Sequence, residues 1–258
     1  MDRAVAAARG LNARRIYALL RPSPTIPRLP WSAASPATWR PAPWTLVTLL
    51  FGLVLFGIGE AALVNAALGT TPWTVLAQGI ARHTPLDVGE ATIAVSVVVL
   101  LGWIPLKQRP GLGTLANIVV IGLMLDAAIR FLPQPHALGW QLLQVAAGIA
   151  AIGVGSASYL TANLGPGPRD GWMTGIHRVT GLGIATVRTT LEVSALIAGG
   201  LLGGHVGVGT FAFAILVGYA LATTLRVLLA VTTDRRAPAS TPDPDPPAGD
   251  RRSPTSAT

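Results

Sequence analysis

The chain has 258 residues, of which 51% are hydrophobic and only 12% charged, about half the charged share of an ordinary soluble domain. With a mean hydropathy of +0.54 it is too apolar for disorder, and its 29 glycines and 21 prolines follow no collagen-like period. No cysteine is present, which excludes disulfides, thiolate–zinc sites, iron–sulfur clusters and thiol catalysis together.

The net charge is +8, and 11 of the 19 basic residues sit at the ends. Arg3, Arg9, Arg14, Arg15, Arg21, Arg28 and Arg40 precede Trp44, and Arg235, Arg236, Arg251 and Arg252 follow Val231. Basic flanks around an apolar body orient helices against an anionic membrane surface. They show no aromatic–basic interleaving of the kind nucleic-acid modules carry, so nucleic acid is not an expected partner.

In chain order, residues 1–43 read as a basic, Pro-rich cytoplasmic segment with a surface helix over 3–20 and then an extended linker. Ile16–Leu20 is too short for a signal-peptide core. Six stretches then approach the roughly 20 apolar residues that a span requires: 45–66, 88–106, 112–132, 140–162, 183–203 and 208–230. The segments Pro72–Thr84 and Pro168–Thr180 are shorter, about 18 Å if helical, and cannot cross alone. Residues 232–258, with Thr241-Pro-Asp-Pro-Asp-Pro-Pro, predict a disordered cytoplasmic tail.

A shift of 96 residues aligns the two halves without a gap. Trp44 falls on Trp140, Gly52 on Gly148, Gly59 on Gly155, Leu68-Gly69 on Leu164-Gly165, Pro72 on Pro168 and Arg82 on Arg178. Farther on, Gly111-x-Gly-Thr falls on Gly207-x-Gly-Thr, and Arg130 on Arg226; about 25 of 87 paired positions are identical. Two membrane repeats follow, 44–132 and 139–231. Each holds three spans, an odd number, so the second enters the membrane inverted relative to the first. Placing the amino terminus in the cytoplasm puts Lys107, Arg109, Arg169, Arg178, Arg235 and Arg236 on that side, as the positive-inside rule requires.

The short segments admit two readings. As re-entrant helices started by Pro72 and Pro168, they would aim free N–H groups at a central site. As interfacial helices, their apolar stripes (Trp73, Leu76, Ile80; Trp172, Ile176, Val179) would face lipid, with Trp73 and Trp172 as anchors. Gly111-x-Gly-Thr and its copy lack the strand and Lys-Ser/Thr of a phosphate loop and read as tight turns. Gly57/Ala61, Gly153/Ala157 and Ala214/Gly218/Ala222 have the spacing of close helix contacts.

Ionisable groups at membrane depth are functional candidates. Arg188 and Glu192, four apart, read as a buried pair with either a structural or a substrate- or proton-coupling role, and Asp126 with Arg130 as a snorkelling structural pair nearer the interface. Glu60 has no partner at helical spacing, and burial disfavours its charged form, so it is the candidate proton carrier. Arg169 and Asp170 open the second short helix. The four histidines show no metal-ligand spacing, and neither H-E-x-x-H nor G-x-S-x-G occurs; no enzyme, cofactor or metal is expected.

Leu68-Gly-Thr-Thr-Pro-Trp-Thr-Val-Leu, Trp103-Ile-Pro-Leu-Lys-Gln-Arg-Pro-Gly-Leu-Gly-Thr, Gly165-Pro-Gly-Pro-Arg-Asp-Gly and Val187-Arg-Thr-Thr-Leu-Glu resemble the YczE-like family of bacterial membrane proteins, within the wider YczE/YyaS/YitT group. The similarity covers about 45–230. It implies a membrane protein with Pro168, Arg169, Asp170, Arg188 and Glu192 at motif positions, no catalytic role attached, and some relatives linked to antibiotic production or export. This chain departs at Trp73-Thr74, where relatives often carry Trp-Asp.

The expectation is therefore an all-α protein of the bacterial plasma membrane with both termini cytoplasmic. It has six transmembrane helices as two inverted three-helix repeats, each with a short re-entrant or interfacial helix. Its partners are the lipid bilayer and an unidentified small-molecule substrate, with a homodimer left open. The leading reading is a secondary transporter or exporter of a small organic metabolite. The alternatives are a non-transporting accessory protein that supports a biosynthetic enzyme and, more remotely, a lipid-modifying enzyme using Glu192 or Asp126.

Overall fold

The structure, a computed structural model, describes residues 26–234. The surface helix expected over 3–20 and the tail from 235 onward lie outside the described residues.

Residues 26–42 form no helix, as their prolines dictate, but they are not a free linker. Leu29 and Ala33 are buried. The Trp31 indole donates to Thr161 Oγ1 at 3.2 Å, the Ala33 N–H to the Ala162 carbonyl at 2.9 Å, and the Asn163 amide to the Ala33 carbonyl at 2.8 Å. The segment is a docked strap.

Eight helices follow among the described residues: α1 (Pro43–Ala66), α2 (Pro72–Ala81), α3 (Val88–Leu101), α4 (Leu112–Phe131), α5 (Leu138–Ala162), α6 (Pro168–Thr180), α7 (Ile184–Leu201) and α8 (Val208–Asp234). Five of them, α1, α4, α5, α7 and α8, are long and apolar enough to cross a membrane. The span expected over 88–106 is shorter. At 14 residues, α3 is about 21 Å long, because Gly102 begins a run of turns and Pro105 cannot continue a helix. The short helices α2 and α6 start at the expected prolines, where a missing N–H costs nothing.

α1 and α5 pack antiparallel through glycines. A Cβ at Gly52 would lie 2.6 Å from the Gly155 carbonyl oxygen, and one at Gly59 would lie 2.8 Å from that of Gly148. Backbone approach this close is open only to small residues. Gly57 faces Met124 of α4, and Gly153 faces Ala220 of α8. The two corners match as well. α1 ends at Ala67 (φ 54°) and Gly69 (φ 103°), and α5 ends at Asn163 (φ 55°) and Gly165 (φ 111°), left-handed positions that glycine adopts without strain.

The repeated Gly-x-Gly-Thr motif braces these corners. Gly113 N–H donates to the Leu164 carbonyl at 2.7 Å, and Gly209 N–H to the Leu68 carbonyl at 2.6 Å. In each case the motif of one half holds the corner of the other. The same exchange relates the cores: Leu49, Leu53, Tyr159 and Ala162 cluster together, and so do their counterparts Val145, Ile149, Leu63 and Ala66. Gly218 is a correction to the expected small-residue contacts, since a Cβ there would meet nothing within 4 Å.

Candidate functional site

The starts of α2 and α6 carry the residues that the corners converge on. Pro72, Thr70, Thr71 and Thr74 are buried, and so is Trp73. Trp73 is buried and packs with Val99 and Ala195, and the half-buried Trp172 lies against the same cluster. The apolar stripe of α2 is satisfied by protein.

Glu60 on α1 is 1% exposed. The Thr74 hydroxyl donates to its carboxylate at 2.6 Å, and the Thr71 hydroxyl lies 3.2 Å from both oxygens. Thr71 also caps α2 by accepting from the Thr74 N–H at 3.3 Å. Among the described residues, no cation lies within ion-pair distance of Glu60.

Arg169, the second residue of α6, stacks its guanidinium over the Trp73 ring, 5.0 Å from the centroid, a cation–π distance. Positions 73 and 169 are equivalent under the 96-residue shift, so the two short helices touch at corresponding residues. Beside Arg169, Asp170 accepts from the buried Tyr159 hydroxyl at 3.3 Å. Arg169 acts electrostatically on Glu60, Asp170 and Glu192, and Asp170 on Arg188. The structure thus brings Glu60, Arg169, Asp170, Arg188, Glu192 and the Pro72 and Pro168 starts into one region.

The Arg188–Glu192 pair forms along α7 at 3.0 Å, but it is not enclosed by protein: the side chains are 55% and 33% exposed. Their counterparts on α3, Thr92 and Ser96, are buried. The site is therefore less enclosed by protein on the α6–α7 side. On the opposite side Gly199 and Gly204 pack directly on the α2 backbone at Val75 and Leu76.

Asp126 does not join this group, nor does it pair with Arg130. Its carboxylate accepts from the backbone N–H groups of Gly89 and Glu90 at 2.6 and 3.1 Å, capping α3, while Arg130 pairs with Asp87 at 3.2 Å. The reason is helix polarity: the exposed N–H groups of α3 outcompete an arginine one turn away for a carboxylate. The histidines serve loops, with His83 and His177 against the Leu202 and Leu182 carbonyls.

Four residues at the site are absent from the sequence candidates. Tyr159 donates to Asp170, and Thr71 and Thr74 hold Glu60. Trp103 donates its indole N–H to the Pro168 carbonyl at 2.9 Å and fills the space beside Gly171. A reciprocal size change signals it: Trp103 faces Gly171 where the other half sets Gly199 against Val75. The threonines have a signal of the same kind. Glu60 and Thr74 in the first half correspond to Ser156 and Asp170 in the second, so carboxyl and hydroxyl exchange places between the long and the short helix.

Residues 44–226 match DUF6198, a family of unknown function. An uncharacterised protein of Haemophilus influenzae is 45% identical over 203 residues, covering 79% of this chain and 92% of that protein. The Bacillus subtilis uncharacterised membrane protein YczE is 33% identical over 177 residues, 67% of this chain and 82% of YczE. The same organism's uncharacterised protein YyaS is 25% identical over 163 residues, 62% of this chain and 81% of YyaS. No solved structure matches.

Proposed function

The chain belongs to DUF6198, among the YczE-like integral membrane proteins, and on that premise we propose that it is a small secondary transporter. Its substrate site lies where α2 and α6 meet. The observation that carries this reading is the contact of Trp73 with Arg169 beside the buried Glu60: equivalent residues of the two halves meet at a group of charges that lipid would not tolerate without a purpose.

Six passages through the membrane, with α3 as a short sixth, make the two repeats antiparallel about an axis in the membrane plane. The exchange of contacts between halves supports this, because such an axis pairs Gly52 with Gly155 and Gly148 with Gly59. α2 and α6 are then re-entrant helices from opposite faces. The basic loops place the α6 end, where the site is less enclosed by protein, in the cytoplasm of a bacterial plasma membrane. Exchanging the packing of α2 against α7 with that of α6 against α3 would open the other face.

The test is reconstitution of the full chain into proteoliposomes and a broad screen of small charged metabolites for uptake or counterflow, with and without a pH gradient. Saturable movement of at least one solute, lost in Arg169→Ala, is expected; a complete absence of movement contradicts transport. An accessory role would reside in the basic ends. Deleting 1–25 and 235–258, and sparing the docked strap, should leave transport intact.

A further inference from the structure

The charges of the site do not balance. Arg188 and Glu192 neutralise each other on α7. Asp170, satisfied by Tyr159, and Glu60, satisfied by Thr71 and Thr74, are two carboxyl groups; Arg169 is a single guanidinium. With every group ionised the site carries one uncompensated negative charge. In a low-dielectric setting such a charge is costly, and the region relieves it by taking up one positive charge.

The position of Arg169 shows where that charge would sit. Its guanidinium rests on the Trp73 face rather than in an ion pair, and Glu60 of α1 is held by Thr74, the residue that follows Trp73 on α2. An aromatic face and an acceptor-only carboxylate held from the same first turn of α2 both favour a cation in this region. Among the described residues no salt bridge ties Arg169 down, so a ligand cation can take its place on the ring as the side chain swings toward the less enclosed α6–α7 side.

We infer that the transported class is a monovalent organic cation bearing an ammonium or guanidinium group, exchanged against a proton at Glu60. The inference rests on the transport reading above. In the proton-loaded state Glu60 is a neutral acid hydrogen-bonded to Thr71 and Thr74. When the cation enters, the Glu60 O–H bond breaks, the proton leaves through the less enclosed side, and the carboxylate balances the bound ammonium. No redox change occurs and no covalent bond to the ligand forms. The charged group that acts on Glu60 across this step is Arg169 of α6; Tyr159 of α5, Asp170 of α6 and Glu192 of α7 act on Arg169 in turn, and Arg188 of α7 on Asp170; α2 contributes hydroxyls only. Both loaded states are neutral overall and the empty ionised state is not, which makes exchange obligatory and uniport slow.

The carboxyl–hydroxyl exchange between the halves supplies a variant that keeps the charge and moves its carrier. Glu60→Ser with Thr74→Asp rebuilds in the first half the Ser156/Asp170 arrangement of the second.

The experiment uses the full chain in proteoliposomes containing a trapped pH dye. Trimethylphenylammonium is the cation probe, because it cannot cross as a neutral base, and benzenesulfonate is the matched anion. Imposing a proton gradient should drive trimethylphenylammonium out of the vesicles with coupled proton entry and leave benzenesulfonate in place. Glu60→Gln should lower this exchange at least tenfold, and the double variant E60S/T74D should recover most of it. Equal or greater movement of benzenesulfonate would overturn the inference. So would undiminished coupling in Glu60→Gln, or trimethylphenylammonium remaining immobile in wild type. In each of these cases a solute found in the metabolite screen would leave the transport reading standing, whereas failure of that screen sinks both. Glu60→Asp, which keeps the acid, separates loss of charge from loss of fold and should retain exchange.

Discussion

Glu60 is held in place by two hydroxyl groups rather than by a cation, which makes Thr74 as consequential as the acid itself. The 2.6 Å bond from Thr74 is the shortest that Glu60 receives, and its loss leaves a buried carboxyl oxygen short of a donor. Thr74→Val should therefore lower stability by about 1–3 kcal/mol, read as a fall in the thermal midpoint in detergent, while Thr74→Ser should match wild type. An unchanged midpoint in the valine variant would contradict the assigned bond. Asp126 belongs to a different category. It caps α3 from a neighbouring helix, so Asp126→Asn should cost about 0.5–2 kcal/mol of stability and leave transport rates per folded molecule unchanged. A selective loss of transport in that variant would return Asp126 to the site.

At the scale of elements, the short helices are placed by contacts from the opposite half. α6 hangs on Trp103, whose indole both bonds the Pro168 carbonyl and fills the space beside Gly171. Trp103→Ala removes a buried ring and should destabilise the protein by about 3–5 kcal/mol. Trp103→Phe keeps most of the volume, loses the hydrogen bond and should cost less, about 1–2 kcal/mol; thermal unfolding of the two variants checks the order. The α1–α5 interface is less forgiving. A side chain at Gly52 or Gly155 would meet carbonyl and amide groups at 2.6–2.8 Å, so Gly155→Val should fail to give a monodisperse protein in size-exclusion chromatography.

Much at this scale was legible in the residues. The glycines and prolines repeating at 96 mark the corners and the close contacts, because those positions have backbone requirements that only such residues meet. The starts of α2 and α6 follow from Pro72 and Pro168. What sequence could not supply was partner choice. Asp126 has Arg130 one turn away and yet turns to α3, and Glu60, lacking any partner at helical spacing, finds two in a loop and a short helix eleven and fourteen residues on. The Arg188–Glu192 pair was legible as a pair but not in its exposure, which depends on how far α6 and α7 stand from the rest of the bundle. The strap over 26–42 was hidden because prolines signal extended chain without saying whether it docks.

For the whole molecule, the two halves share their corners and close contacts and differ where the charges lie: a guanidinium where the other half has an indole, and a carboxyl on the short helix where the other half has a hydroxyl. The same differences leave one side of the site covered by Gly199 and Gly204 and the other less enclosed by protein. Whether the halves lie inverted across the membrane can be measured directly, because the native chain has no cysteine. His83 and Val179 are equivalent under the shift, are exposed, and lie at the far ends of α2 and α6. Single cysteines at these positions, challenged with a membrane-impermeant maleimide in sealed vesicles of known orientation, should react from opposite faces, position 83 from outside and position 179 only after permeabilisation of right-side-out vesicles. Labelling of both from the same face would contradict the inverted arrangement and, with it, a site shared between two antiparallel halves.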